Sequence, residues 1–106
     1  VRILFDQGTP APLRHALTGH TVETAFELGW ATLQNGALIA VAEGAGFEAF
    51  ITTDKNLKYQ QNLAARSISI VVLSTTSWPR IQRALTDVVT AVESALPGGY
   101  SEVVVK

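Results

Sequence analysis

The chain contains no cysteine. That excludes a disulfide framework, a thiolate zinc site and a cysteine nucleophile. It carries little charge: eight basic residues against nine acidic ones, a net charge of −1. A basic surface that grips nucleic acid all round is therefore excluded, and any such contact has to be local. No apolar run approaches the ~20 residues a membrane-spanning helix needs, so no membrane partner is expected. A strand pattern opens at residue 2, which leaves no space for a signal peptide and makes a cytoplasmic location the expectation. Repeats, linkers and low-complexity tracts are lacking too. What the chain has is apolar bulk, 47% of 106 residues. That is enough for one domain, residues 1–106, to bury a core without staples.

Strand and helix patterns alternate along it. Residues 2–5 read as a first strand, and Thr9-Pro10 opens a short helix to about residue 17, with threonine as cap and proline in the first turn. Residues 21–25 alternate in polarity and read as a partly exposed strand. Residues 27–34 form a loop. Asn35 then caps a helix to about residue 45, with Leu38, Ile39, Ala42 and Ala45 at helical spacing. Residues 49–53 are a third strand, and residues 55–64 contain a short helix. Residues 68–73 are almost continuously apolar and β-branched, the mark of a strand buried on both faces. Ser77-Trp78-Pro79 opens the longest helix, whose buried stripe is Ile81, Leu85, Val88, Val89, Val92 and Leu96. Residues 101–105 are a last strand. The rhythm predicts a three-layer α/β/α sandwich around a mostly parallel sheet of four or five strands.

In such a fold the strand-to-helix turns share one edge, where ligands bind. Asp6 follows the first strand and Asp54 the third. Alone, each reads as a cap or an Asx-turn. Together, at matching strand ends, they form a natural site for magnesium or manganese, which take oxygen ligands. Glu27 is a third acid near that edge or a solvated loop residue. Thr9, Thr75 and the rest of the turn at residues 74–77 offer hydroxyls to phosphate oxygens, and Lys55 and Lys58 offer charge to a nucleic-acid backbone. Metal-assisted phosphoryl transfer fits this set.

Four segments carry a resemblance. Leu4-Phe5-Asp6-Gln7-Gly8-Thr9-Pro10, Glu27-Leu28-Gly29-Trp30, Asn35-Gly36-Ala37-Leu38 and Thr52-Thr53-Asp54-Lys55-Asn56-Leu57 resemble, in order, an uncharacterised bacterial PIN-like family related to the VapC-type toxin nucleases. The likeness runs from about residue 2 to residue 78. It implies a PIN-like sheet, a cytoplasmic toxin-antitoxin component, a Mg2+- or Mn2+-dependent endoribonuclease site, RNA as substrate and often a cognate antitoxin as partner. By that likeness Asp6 and Asp54 are metal ligands.

One departure stands out. PIN-type sites gather three or four acids, and relatives tend to carry one in the segment matching Asn35-Gly36-Ala37, where this chain has none. Asn35 is a neutral oxygen ligand at best. Fewer carboxylates weaken magnesium binding and water activation. Two readings follow: a ribonuclease in which Glu27 or Asn35 assists Asp6 and Asp54, and a degenerate module that binds an antitoxin, a second copy of itself or RNA without cutting. A third, lower reading is a receiver-like phospho-acceptor domain, which has acids after strands one and three and a hydroxyl after strand four. It also needs an acid beside Asp6, where this chain has Gln7. Position 37, in the first turn of its helix, is expected to point at the Asp6–Asp54 edge.

Overall fold

The structure, a computed structural model, describes residues 1–57 and 66–106. Five strands form one sheet: β1 (Arg2–Phe5), β2 (Thr21–Thr24), β3 (Ala49–Thr52), β4 (Ser69–Leu73) and β5 (Tyr100–Val103). Every pairing is parallel and the order is β2-β1-β3-β4-β5. The described helical elements are a 3-10 helix (Ala11–Ala16), α1 (Asn35–Gly44), α2 (Trp78–Gln82) and α3 (Leu85–Glu93). Lys58 and most of the helix expected over residues 55–64 lie outside the described residues.

Period-two alternation along the strands splits the core in two. Ile3, Phe5, Ile51, Val71 and Leu73 face Leu13 and Leu17 of the first crossover and Ile81, Val88 and Val92 of α2 and α3. Leu4, Phe50, Ile70 and Val72 face Leu38, Ile39 and Ala42 of α1. The result is the expected α/β/α sandwich. Strands β3 and β4 are buried along their whole length, while edge strand β2 is only half-buried, as its mixed polarity predicts.

Three local expectations change. The long helix is two helices, although no proline or glycine separates them. Arg83 and Ala84 tighten into i−3 hydrogen bonds, to Arg80 O and Ile81 O at 3.2 and 2.9 Å. Ala84 then leaves helical geometry at φ −118°, ψ 22°. Leu96 lies past the end of α3 and is 71% exposed, so it belongs to no buried stripe. The caps differ as well. Pro10 and Gln34 hold the cap positions without side-chain cap bonds. The threonine and asparagine expected there send their side chains to the two aspartates instead.

At the far end of α1, Glu43 fastens the approach to β4. Its carboxylate accepts bonds from Arg66 Nη1 (3.0 Å), Ser67 N–H (2.7 Å) and the Ser67 hydroxyl (2.8 Å). Burial pushes this carboxyl up, but the bonds from Ser67 and Arg66 outweigh it and hold it below its ordinary value. Glu43→Ala should cost about 1–3 kcal/mol in urea denaturation at neutral pH. A carboxyl depressed on folding contributes stability above its unfolded pKa and loses it as pH falls through the folded one. Wild type and variant should therefore converge in acid. A gap that stays constant down to pH 3 would contradict this account.

Candidate functional site

The chain runs from β1 outward to β2, then returns to β3 on the other side of β1. The β1/β3 boundary is thus the topological switch point, and the crevice beyond its strand ends is where open parallel sheets bind ligands. Register brings Phe5 beside Ile51, so Asp6 and Asp54 both emerge at this one edge.

Thr52 joins them. Its hydroxyl donates to Asp6 Oδ2 at 2.5 Å and accepts the Asp54 N–H at 3.1 Å. The other Asp6 oxygen, Oδ1, accepts the Thr9 N–H (3.0 Å) and the Thr9 hydroxyl (2.6 Å), which also leans on Ile51 O (3.0 Å). Asp6 is 9% exposed. The Asp54 carboxylate is half-buried and accepts the Asn56 N–H (3.0 Å), an Asx-turn, and the Asn35 amide (2.9 Å). Gly8 completes the first turn for a steric reason: a Cβ there would lie 2.4 Å from Thr53 Oγ1.

Asn35 is the first-turn residue of α1 that reaches the edge. Ala37 is exposed. A recess of about 160 Å³ beside Asp6 is lined by Asn35 and Leu38, together with Gln7, Trp30 and Leu33, but not by Ala37.

Glu27 is engaged elsewhere. Arg14 grips it with both guanidinium nitrogens, Nη2 to Oε1 at 2.7 Å and Nη1 to Oε2 at 3.2 Å. Thr24 N–H adds a bond at 2.9 Å, and the Glu27 N–H returns one to the Thr24 hydroxyl. The Arg14 bond, then the Thr24 N–H, bring its carboxyl down to about 2. Among the described residues no group of three or more acids, histidines or cysteines is placed to hold a metal.

The expected phosphate contacts also sort out. Thr9 is buried and its hydroxyl bonds Asp6 and Ile51 O, which orders the turn, while the residue also lines the larger cleft. Thr75 is half-buried and accepts the Ser77 N–H at 3.1 Å. Lys55 is exposed, beside Ser74 and Glu102 at the β4–β5 end of the edge. The larger opening is a cleft of about 780 Å³ that runs from Asp6 along the first turn, past Arg14, Phe26 and Glu27, to Thr76 and Trp78. Arg14 and Phe26 were not visible as site residues in the sequence, because only the fold brings the 3-10 helix against the loop after β2.

The donor set decides what the edge would hold. A carboxylate has about four lone-pair positions. Asp6 spends three of them on Thr9 and Thr52, and Asp54 spends two on Asn35 and Asn56. Asn35 directs its amide nitrogen to Asp54, which leaves its carbonyl oxygen as a further donor atom. The atoms left free are hard oxygens, the ligand type that magnesium and manganese take. No protein-family model, curated protein or solved structure matches the chain.

Proposed function

We propose that this protein is a PIN-like, magnesium- or manganese-dependent ribonuclease of toxin type with a weakened site, active in the cytoplasm and paired with an antitoxin. The observation that carries the reading is the Asp6–Thr52–Asp54 linkage at the β1/β3 switch point. Asp6 and Asp54 would hold the ion, with the Asn35 carbonyl as a neutral partner. Such an ion lowers the pKa of its water and offsets charge on the scissile phosphate. The chain's own residues do the positioning: Thr52 ties the Asp6 carboxylate to the Asp54 backbone, and Thr9 holds Asp6 in one rotamer. Two carboxylates where related sites gather three or four make binding weak and cleavage slow.

The test is cleavage of a labelled mixed-sequence RNA with magnesium or manganese. Slow, metal-dependent cutting is expected from wild type and none from Asp6→Asn or Asp54→Asn. Thermal melts should show metal raising the wild-type midpoint and leaving Asp54→Asn almost unmoved. Equal stabilisation of both would remove Asp54 from the ligand set, and brisk cutting that survives chelation would remove the metal.

The alternative, a module that binds RNA or an antitoxin without cutting, draws support from the engagement of both aspartates within the protein. On that reading wild type cuts nothing at any metal concentration. The strand order is also that of receiver domains. A shared fold does not carry a function, and Gln7 stands where that reading needs an acid.

A further inference from the structure

We infer that the Arg14–Glu27 pair is an internal mask over a phosphate-binding position, and that single-stranded RNA reaches Asp6 by displacing the Glu27 carboxylate from Arg14. The inference rests on the ribonuclease reading and adds how its substrate is admitted.

Arg14 is the one cationic side chain among the described residues lining the cleft that leads to Asp6. Its two guanidinium nitrogens meet the two Glu27 oxygens in a parallel fork, at 2.7 and 3.2 Å. The two non-bridging oxygens of a phosphodiester fit the same fork, so Glu27 stands where a phosphate would bind. The pair is reachable from solvent: the Glu27 side chain is 47% exposed and that of Arg14 29%, so a phosphate can compete for the fork. When displaced, the Glu27 carboxylate still has the Thr24 N–H as a partner.

The neighbours point to an unpaired nucleic-acid strand. Phe26, next to Glu27, is 77% exposed on the cleft wall, and Trp78 lines the same cleft. Trp78 is half-buried against the core, so Phe26 is the exposed aromatic face, and such a face beside a backbone-binding cation is what proteins use to stack single-strand bases. The cleft is continuous from Arg14 to Asp6, so one strand seated on Arg14 extends to the proposed site of cleavage.

The test is a double-mutant cycle on the whole chain, with a labelled mixed-sequence single-stranded RNA read by fluorescence anisotropy in EDTA. Glu27→Gln keeps the shape and an acceptor for Thr24 while releasing Arg14. It should tighten binding roughly threefold to fivefold, the value of one exposed charge-assisted contact. It should also steepen the dependence of log affinity on log salt by about 0.7, the signature of one more phosphate neutralised on a single strand. Arg14→Gln should weaken binding, and the double variant should match Arg14→Gln. Arg14→Lys, which keeps the charge without the fork, replaces it if Arg14→Gln does not fold, and should bind RNA more weakly than wild type. A gain from Glu27→Gln that persists without Arg14 would reflect net charge alone and overturn the mask. So would no gain at all, or a larger gain for an acidic peptide than for RNA. Chelation removes metal-dependent cutting from this assay. The cycle can therefore fail while Asp6-dependent cleavage stands, or hold while cleavage fails.

Discussion

Asp6→Ala will destabilise the fold by about 2–4 kcal/mol, among the larger effects of any single substitution in the chain. The reason is not electrostatic. Asp6 is buried, and its carboxylate is the acceptor for the Thr9 N–H, the Thr9 hydroxyl and the Thr52 hydroxyl. Alanine removes that acceptor: the Thr9 N–H keeps the backbone carbonyl of residue 6 at 3.3 Å and the Thr9 hydroxyl keeps Ile51 O at 3.0 Å, but the Thr52 hydroxyl is left facing the gap. One buried donor left unsatisfied costs about 1–3 kcal/mol, and the two weakened bonds add to it. Asp54→Ala should cost only about 1 kcal/mol, because Asp54 is half-exposed and water can replace it at Asn35 and Asn56. Urea denaturation in EDTA checks both values. If the two substitutions cost the same, Asp6 is not the keystone of the turn.

Asn35→Asp should give the largest gain in metal affinity. It places a third carboxylate 2.9 Å from Asp54 Oδ2, where the asparagine now donates a hydrogen bond. Without metal, two carboxylates at that distance cannot both stay ionised at ordinary pKa values, and one is driven upward. The variant should therefore lose about 1–3 kcal/mol of stability in EDTA at pH 7. Lowering the pH below about 5 should restore most of it, because protonation removes the repulsion. Magnesium or manganese should restore it too, with affinity raised at least about tenfold over wild type and faster RNA cleavage. Ala37→Glu is the control: position 37 is exposed and lines neither opening at the edge, so it should change neither. Isothermal titration with metal and the cleavage assay decide the matter. A gain from Ala37→Glu with none from Asn35→Asp would mean that the first turn of α1 faces the site differently from its position here.

The pair of aspartates was legible because parallel strands announce themselves. The apolar runs before Asp6 and Asp54, each ending in a polar turn, can be read without knowing which strands pair. The same holds for the buried β4 and the half-polar β2. What could not be read was where short polar side chains go once the edge assembles. Thr9 and Asn35 look like caps, since serine-like and asparagine side chains favour that role. In the fold a carboxylate lies closer, and it takes them. Glu27 looked like a third acid because it follows a strand. Its partner Arg14 is 13 residues away on an unrelated element, a separation with no periodic signature. The break between α2 and α3 has no residue-level signal either, since Arg83 and Ala84 are ordinary helix formers.

The linkage between Asp6 and Thr52 also has a consequence in time. The two residues are 46 positions apart, and the strands that pair with β1 are β2 and β3, both later in the chain. During synthesis at about 5–20 residues per second, Asp6 leaves the ribosome roughly 2–9 s before the threonine that orients it. Throughout that interval the nascent chain carries the acid but not the geometry. On the ribonuclease reading proposed above, the chain has no assembled site to cut with during those seconds.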